Sequence, residues 1–456
     1  MNLGLISPKG TIFSNTHREI TAFIDEAYRG SADFVREVER AHSHRLHSFS
    51  SALPVIAALT PDASQIRIVD ENFEEIDFED PFDVVGVTAM TQQATRAYQI
   101  AAEFRRRGVY VAIGGIHATV LPEEAKAHAD TVFVGEAENT WPRFVQDFRA
   151  GHPKPLYRED GTTDLRRSPI PRYDLMRKEY YTTVYIQTTR GCPHNCEFCA
   201  SSTVYGSTYR RKTVEQVVRE VVRAKEIWGD PMIYFADDNF MANRGFAKKL
   251  VEELVSLKIQ WFASTDVTIA EDEGLLRRMY DSGCLFLFIG FESVSEAGLD
   301  AIDRHNWKLK QLWNYPQAIE RIQANGIVVL GSFIVGLDSD DLSVFDTLER
   351  FIRDNHVYRF HISVLTPYPG TRLRARLAQE GRLLDTPWAN YTMWDVNFRP
   401  KRMRPEELEA GHKRLLMRLY RPEMLERERA HFRAVYRALY RLRRRADSDH
   451  VLGKAS

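Results

Sequence analysis

The sequence predicts an α/β protein with two parallel sheets: a flavodoxin- or Rossmann-like N-terminal sheet and a partial (β/α)6 barrel of the TIM type. A helical C-terminal region follows them. Short apolar runs alternate with helix-periodic stretches, and glycine or polar residues follow most of the apolar runs. A chain of 456 residues is long enough for two or three domains. The predicted units are a sheet domain over 1–150, a linker over 151–180, the barrel over 181–372 and helices over 373–456.

Strand and helix patterns alternate in the N-terminal third, which predicts a parallel sheet with crossover helices. A helix is predicted over 98–107. Strands are predicted at Leu3–Ile6, Ile66–Val69, Val84–Thr88, Val109–Ile113 and Thr131–Val134. Ligands of such sheets bind beyond the carboxyl ends of the strands, where Gly114, Gly115 and Gly135 stand. A missing side chain there lets a large flat ligand approach the backbone, but glycine at a strand end is also ordinary turn chemistry.

Six strand–helix units follow between residues 181 and 370. Their strands are predicted at Val184–Thr188, Met232–Phe235, Trp261–Thr265, Leu285–Ile289, Ile327–Phe333 and Phe360–Leu365. Thr213 and Gln216 form a capping-box pattern at the start of one helix. Six units rather than eight predict an open barrel, whose site is built at the carboxyl ends of several strands. The arginine-rich helices after residue 373 are predicted to cap this barrel.

Three of the four cysteines, Cys192, Cys196 and Cys199, stand in one loop after the first barrel strand. A cubane iron–sulfur cluster has four irons that each prefer a thiolate, so this loop leaves one iron open to a small molecule. An incomplete ligand set is typical of a catalytic metal site. Zinc is the alternative, but it needs a fourth ligand. His194 lies between two of the cysteines, and Cys284 lies far away in an apolar run that predicts a buried strand.

Composition excludes several classes of protein. The formal net charge of −1 argues against a general nucleic-acid binder, which would need a strongly basic face. The sequence has neither an apolar run of membrane-spanning length nor a signal-peptide pattern at its start. Few cysteines and an exposed cluster suit a reducing cytoplasm. We therefore expect a cytoplasmic protein without nucleic acid or a transmembrane segment.

Residues 181–370 resemble the radical S-adenosylmethionine superfamily. Cys192, Cys196 and Cys199 match its cluster motif, including the aromatic Phe198 before the last cysteine. The segments Leu330–Gly336 and Thr366–Thr371 also match, the second being typical of the cobalamin-associated branch. The resemblance implies a [4Fe–4S] cluster whose fourth iron is chelated by S-adenosylmethionine, with Phe198 near the adenine.

The resemblance also suggests which residues contact S-adenosylmethionine. Asp237 and Asp238 lie where the family binds the methionyl amino group, although the usual Gly-Gly-Glu is replaced here. Ser264 and Asp266 lie where polar residues often meet the ribose or carboxylate, and Glu292 would hold a ribose hydroxyl or a neighbouring cation. Each acidic residue has a structural alternative, such as capping the following helix. Arg190 and Arg211 are candidates for contacts with a carboxylate or with the cluster. The alternative is that both form surface ion pairs.

The N-terminal third resembles the cobalamin-binding domain that precedes the barrel in one large class of this superfamily. The matching pieces are Val87–Thr91, Gly114–His117, Leu121–Glu124 and Val134–Glu138. The Asp-x-His-x-x-Gly motif that places a histidine below cobalt is absent. The resemblance therefore implies cobalamin bound without that histidine at the edge marked by Gly114, Gly115 and Gly135. His117 is either a ligand-loop residue or a hydrogen-bonded structural histidine.

Together the two resemblances imply an enzyme that cleaves S-adenosylmethionine reductively. With cobalamin, the simplest reaction is methylation of an unactivated carbon in a small molecule, lipid or natural-product intermediate. Radical rearrangement, cyclisation or oxidation, with or without cobalamin, is an alternative, and an iron–sulfur electron-transfer protein is a distant one. A reductase or flavodoxin-type protein is implied as electron donor. The sequence identifies neither a catalytic residue nor the substrate; Tyr391, Trp394 and Asn397 are candidate substrate contacts or packing residues.

Overall fold

The computed structural model describes residues 1–10, 51–159, 163–181 and 183–453, with side chains up to residue 441. Its N-terminal sheet has six parallel strands. They are β1 (Asn2–Ser7), β2 (Gln65–Asp70), β3 (Val84–Thr88), β4 (Tyr110–Gly114), β5 (Thr131–Val134) and β6 (Leu156–Arg158). The spatial order β2-β1-β3-β4-β5-β6 is the flavodoxin-like order with one added strand. The predicted fold of this region is confirmed.

Helices cover both faces of this sheet, because its strands are apolar on both sides. They are α1 (Ala52–Ala58), α2 (Ala94–Arg106), α3 (Ile116–Val120), α4 (Pro122–Lys126) and α5 (Ala137–Arg149). On one face α2 buries Ile100 and Phe104, and on the other α5 buries Trp141 and Phe144. The strand β6 lies inside the stretch predicted to be a linker, so the sheet continues past residue 150.

A second parallel sheet of six strands forms the open barrel. Its strands are β7 (Thr183–Ile186), β10 (Met232–Phe235), β11 (Gln260–Thr265), β12 (Cys284–Glu292), β13 (Val328–Val335) and β14 (Arg359–Val364). A separate antiparallel pair, β8 (Thr189–Arg190) and β9 (Arg210–Arg211), follows the first barrel strand. In the described part of the chain β7 and β14 are the outer strands and do not pair with each other. The predicted partial barrel is confirmed.

Helices follow the barrel strands along the chain. They are α6 (Ala200–Tyr205), α7 (Val214–Trp228), α8 (Arg244–Leu257), α9 (Glu273–Asp281), α10 (Glu296–Leu299), α11 (Trp307–Gln311), α12 (Tyr315–Ala324), α13 (Ser343–Asp354) and α14 (Arg372–Gln379). The predicted capping box starts α7, since the Thr213 hydroxyl accepts the Gln216 N–H at 3.2 Å and the Gln216 amide accepts the Thr213 N–H at 2.8 Å.

The predicted C-terminal helices are α15 (Pro405–Leu419) and α16 (Pro422–Gly453). Phe432 of α16 packs against Tyr358, with ring centroids 5.5 Å apart, and the Tyr436 hydroxyl donates to the Gly326 carbonyl at 3.0 Å. Tyr358 and Gly326 lie just before β14 and β13, so α16 closes the barrel at the amino ends of its strands. It therefore lies at the opposite end from the expected site. No helix in the described ranges is long and apolar enough to cross a membrane.

A buried ionic network joins the two sheets. Arg190 in β8 extends one guanidinium nitrogen to Glu136 and another to Glu138, the latter at 2.7 Å. Arg210 in β9 pairs with Glu136 at 2.6 Å, and the Ser168 hydroxyl donates to Glu138 at 3.0 Å. Both glutamates are under 9% exposed. The two glutamates of the motif Gly135-Glu-Ala-Glu138 therefore bind the barrel at Arg190, which lies just before the cysteine loop.

Only glycine fits at position 283, where the chain passes from α9 to β12. Gly283 has φ +91°, and an added Cβ would lie 1.8 Å from the Ile259 carbonyl oxygen. Gly381 has φ +65° with no atom within 4 Å of an added Cβ. We expect Gly381→Ala to lower the free energy of unfolding by about 1–2 kcal/mol through backbone strain alone. Gly283→Ala should cost about 3 kcal/mol or more, because backbone must also move. Urea titration of both variants measures the difference, and equal losses would contradict this account.

Burial alone would raise the pKa of Glu138, but the charge and hydrogen bond of Arg190, together with hydrogen bonds from the Glu138 backbone N–H and Ser168, bring it below its ordinary value. A carboxylate with a lowered folded pKa stabilises the fold above its unfolded pKa and loses that effect as the pH falls through the folded value. We expect Glu138→Gln to cost about 2–3 kcal/mol at pH 7. The difference from wild type should shrink as the pH falls below about 4.

Urea titrations of wild type and variant across this pH range provide the test. Glu273→Gln removes the exposed partner of Arg277 and should change stability by less than about 0.5 kcal/mol throughout. A wild-type advantage over Glu138→Gln that is the same at pH 3.5 as at pH 7 would rule out the proposed charge effect.

Candidate functional site

The three cysteines lie in the loop between β8 and α6, beyond the carboxyl end of the first barrel strand. All three are free and half-buried. Gly191 has φ +89° before the first of them, and Asn195 takes the left-handed φ of 47° between the first and the second. Cys199 is the N-cap of α6, and the backbone N–H groups of Ser201 and Ser202 lie near its sulfur without forming a capping hydrogen bond. These tight turns bring the three thiols to one side of the barrel mouth.

Burial raises the pKa of each thiol, that of Cys192 to about 11, while nearby N–H groups and Lys308 act in the opposite direction. Uncharged thiols are therefore expected in the metal-free chain, and coordination to iron would deprotonate them. Within the described residues no three His, Cys, Asp or Glu side chains converge as for a single metal ion. A cubane needs no such convergence, since each thiolate binds a different iron. The donor set therefore fits a [4Fe–4S] cluster.

Two adjacent aspartates after β10 fix the ends of the cysteine loop. Asp238 accepts the Gly191 N–H at 3.1 Å and the Ser201 hydroxyl, so it joins the residues flanking the first and last cysteines. Asp237 is 3% exposed and accepts the backbone N–H groups of Thr188 and Thr189, at 2.7 and 2.9 Å. Burial raises its pKa to about 6. These bonds give Asp237 a supporting position, whereas sequence analysis predicted a cofactor contact.

A polar chain links β11 to the cysteine loop. Asp266 accepts the Asn239 amide at 2.7 Å and lies 3.6 Å from the His194 ring. Burial opposes the charge on Asp266, but bonds from His194 and its other donors bring its pKa well below the ordinary value. Ser264, also predicted from sequence, shares a hydrogen bond of 2.8 Å with the Tyr234 hydroxyl. His194 is therefore held in position by the barrel wall, and it was not predicted as a site residue.

Glu292 stands at a break in the regular backbone of β12. It has φ 63° at a register shift between β12 and β13, and strained residues of this kind cluster at functional sites. Lys308 lies 3.0 Å from its carboxylate and donates to the Gly290 carbonyl at 2.6 Å. Burial opposes the charge on Lys308, but Glu292 and Cys196 raise its pKa above the ordinary value.

The cation expected near Glu292 is therefore Lys308, which sequence analysis did not identify. It lies in a five-residue helix, Trp307–Gln311, that has no motif to mark it.

Three other residues named from the sequence lie around the site. Phe198 is half-buried against the core. Arg190 belongs to the ionic network between the sheets, and Arg211 lies over the Phe246 ring at 5.1 Å.

The carboxyl edge of the N-terminal sheet has the surface that a corrin requires. Gly114 leaves its backbone half-exposed, with nothing closer to an added Cβ than Phe133 at 3.5 Å, and Met90 beside it is 40% exposed. At Gly115 an added Cβ would lie 2.7 Å from the Thr88 hydroxyl, so protein packing already requires that glycine. At Gly135 an added Cβ would lie 3.0 Å from the Cβ of Glu159, so packing also favours glycine there. The edge fits a large flat ligand, mainly through Gly114 and Met90.

His117 is 1% exposed, and its Nε2 lies 3.1 Å from Glu124. Burial lowers its pKa, so the ring is neutral near pH 7. Glu124 also accepts the Tyr98 hydroxyl at 2.9 Å and the Trp388 indole N–H at 3.0 Å. These contacts favour the structural alternative for His117. They also tie the segment after the barrel to the N-terminal sheet.

The turn at Gly370 lies between the carboxyl edges of the two sheets. At Gly370 an added Cβ would lie 2.9 Å from Thr203 of α6 and 3.1 Å from Val120 of α3. Only this turn therefore lies between α6, the helix that follows the cysteine loop, and α3 of the N-terminal domain. Tyr391, Trp394 and Asn397 are 0–5% exposed, so they are packing residues rather than substrate contacts.

Comparisons with known proteins agree with this geometry. Residues 186–352 match the model of the radical SAM superfamily, residues 53–145 that of the B12 binding domain, and residues 371–451 a domain of unknown function. The bacteriochlorophyllide d C-8(2)-methyltransferase of Chlorobaculum tepidum is 31% identical over 78% of this chain and 82% of that protein. The hopanoid C-2 methylase of Rhodopseudomonas palustris is 29% identical over 82% of this chain and 71% of that protein.

Solved structures share the fold. The radical S-adenosylmethionine methyltransferase TsrM of Kitasatospora setae, with cobalamin and a [4Fe-4S] cluster bound, superposes with a TM-score of 0.66 at 15% identity, covering 96% of this chain and 99% of that one. The cobalamin-dependent enzyme OxsB gives 0.63 at 14% identity, covering 90% and 65%. The chain thus belongs to the cobalamin-dependent branch of the radical S-adenosylmethionine superfamily and is an enzyme whose cofactors are a [4Fe–4S] cluster, S-adenosylmethionine and cobalamin.

Proposed function

We propose that this enzyme transfers a methyl group to an unactivated carbon of a small molecule, lipid or natural-product intermediate. The observation that carries the proposal is the ionic network of Arg190, Glu136 and Glu138, which sets the cysteine loop beside the carboxyl edge of the B12-binding sheet. Two similar proteins are named as methylating a bacteriochlorophyllide and a hopanoid. Both names support a carbon acceptor on a small molecule or lipid.

When bound, the cluster supplies the electron that breaks the sulfonium C–S bond of S-adenosylmethionine, and cobalamin supplies the methyl group. The chain holds and surrounds these groups. Cys192, Cys196 and Cys199 would each hold one iron of the cluster. Asp238 would be the acceptor for the methionyl ammonium, because its partly buried carboxylate lies near Cys192 and Cys199.

Glu292 and Lys308 form an ion pair on the side of the cysteine loop opposite Asp238. Lys308 is 6% exposed and holds the Glu292 carboxylate in its strained position. Glu292 would then offer its other carboxylate oxygen to a ribose hydroxyl of S-adenosylmethionine. We also propose a cytoplasmic location, supported by four free cysteines, and reduction by a flavodoxin-type protein.

Isotope transfer tests the proposed reaction. Enzyme reconstituted with both cofactors and given methyl-deuterated S-adenosylmethionine should place deuterated methyl on bacteriochlorophyllide d or on a hopanoid, the acceptors named for its relatives. Mass spectrometry reads the product. Formation of 5′-deoxyadenosine with deuterium-free, rearranged or oxidised product would contradict methyl transfer while leaving the cofactor assignment intact.

The cluster assignment predicts different effects for two cysteines. Cys196→Ala should lower bound iron and abolish formation of 5′-deoxyadenosine, because a cubane loses one of three ligands. Cys284→Ala is the control, since Cys284 is 2% exposed inside β12. It should keep iron content and cleavage activity and lose only a little stability. Equal iron and equal cleavage in the two variants would refute the assignment.

The ionic network predicts that alignment of the two cofactors depends on Arg190. In Arg190→Lys, one ammonium replaces a planar fork that reaches two carboxylates. We expect cluster and cobalamin contents within about twofold of wild type, since neither is bound by Arg190, but a weaker magnetic coupling between the reduced cluster and cobalt(II).

Electron paramagnetic resonance of the doubly paramagnetic state measures this coupling. Arg277→Lys, which changes an exposed helix pair, should leave it unchanged. Wild-type coupling in Arg190→Lys would show that other contacts set the distance.

A further inference from the structure

The inner face of the barrel sheet borders a space that solvent can enter, which we call the lumen. Five side chains on this face are half-exposed, namely Tyr185, Tyr234, Ser264, Phe288 and His361. Neighbouring strands hold such residues side by side, as the pairs Tyr185 with Tyr234 and Ser264 with Phe288 show. Apart from Thr265 and Phe360, the residues that alternate with them along the strands are at most 1% exposed and belong to the core shared with α7 and α8. The exposure of the inner face therefore comes from within the barrel.

Apolar side chains close the lumen toward the amino ends of the strands. They are Met232, Phe262, Leu285, Phe286, Val328, Leu330, Tyr358 and, from α16, Phe432, each at most 8% exposed. Arg359 lies beside Leu330 in the register and is 1% exposed, so it offers no open charge to a ligand. The open part of the lumen therefore lies above this floor, on the side of the cysteine loop.

Aromatic rings form most of the open wall. Tyr185 and Tyr234 meet edge to face with ring centroids 5.0 Å apart, and the Phe288 ring lies 6.1 Å from that of His361. The Tyr234 and Ser264 hydroxyls share a hydrogen bond of 2.8 Å, so each already has a partner. A wall of ring faces and edges with few polar groups suits an apolar ring system.

His361 brings a neutral imidazole to this wall. Burial lowers its pKa to about 4, so the ring is uncharged near pH 7 and has one N–H donor and one acceptor nitrogen. Within the described ranges its Nδ1 is shielded from solvent and has no hydrogen-bond partner. A shielded polar atom without a partner costs free energy, which a ligand that supplies the partner recovers. The imidazole is therefore a polar contact that the protein leaves open at the lumen.

We propose that the lumen holds an uncharged, ring-containing part of the methyl acceptor, and that His361 forms a hydrogen bond to a polar group on it. The inference rests on the proposed function, because it names the class of acceptor that the methylating site takes. The wall rings contribute apolar contact, and His361 selects acceptors that carry a hydroxyl, carbonyl or amide at that point. Carboxylates and phosphates are disfavoured in the lumen, since the open wall gives them no counter-charge and an unpaired buried charge costs far more than a neutral group.

Three naphthalene compounds test the lumen without turnover. They are 2-naphthol, a neutral ring with one hydroxyl, naphthalene, which lacks it, and 2-naphthoate, which carries a charge. Equilibrium dialysis measures their binding to reconstituted enzyme with cobalamin and S-adenosylmethionine bound and the cluster oxidised. We expect wild type to bind 2-naphthol about tenfold more tightly than naphthalene, and 2-naphthoate more weakly than either.

Variants of the wall locate the binding. His361→Phe keeps a ring and removes both nitrogens, so 2-naphthol and naphthalene should bind equally, with naphthalene within about twofold of wild type. His361→Asn keeps a hydrogen-bonding group and should retain part of the preference for 2-naphthol. Phe288→Ala should weaken both compounds about fivefold or more. The matched control, His152→Phe, changes an exposed histidine of the N-terminal domain and should keep the full preference.

Equal binding of 2-naphthol and naphthalene to wild type, or an unchanged preference in His361→Phe, would overturn the proposal. An unchanged affinity of Phe288→Ala for both compounds, or a lost preference in His152→Phe, would also overturn it. These measurements need neither a reduced cluster nor methyl transfer. Failure of the isotope-transfer assay would instead count against the proposed function, so the two failures are distinguishable.

Discussion

A buried guanidinium group joins the two halves of this enzyme at the point where the cysteine loop begins. Arg190 extends its two terminal nitrogens to two glutamates of the N-terminal sheet, in a setting where all three side chains are at most 12% exposed. Removing one member of such a group leaves an unpaired buried charge, which is far costlier than losing a surface pair. Because Arg190 stands two residues before Cys192, the same interaction that joins the domains also orients the cysteine loop.

Supporting side chains, more than direct ligands, give this site its shape. Asp237, Asp238 and Asp266 hold the entry, the ends and the middle of the loop through hydrogen bonds from backbone and side chains. On the far side Lys308 and Glu292 hold each other in a strained segment of β12. The loop itself is short and full of tight turns, so its geometry depends on these neighbours. Local order at the metal site is thus imposed from several strands at once.

Much of the fold and the cysteine loop could be predicted from the sequence, because both depend on local patterns. Alternating apolar runs marked the strands, and Thr213 with Gln216 marked a helix start. The partner of Glu136 and Glu138 could not be predicted, since the motif gives no sign that its carboxylates reach Arg190, more than fifty residues away in another domain. Lys308 was missed because the five-residue helix that carries it has no motif to mark it. Gly115 was assigned to a ligand, but its lack of a side chain serves packing against Thr88.

The position of α16 has a consequence for how molecules pass through the enzyme. Its aromatic side chains fill the amino end of the barrel, so the barrel resembles a cup rather than a tube. Molecules that the reaction consumes or releases therefore do not pass through the amino end. They must reach the cysteine loop from the carboxyl side of the sheet or past the unpaired outer strands β7 and β14.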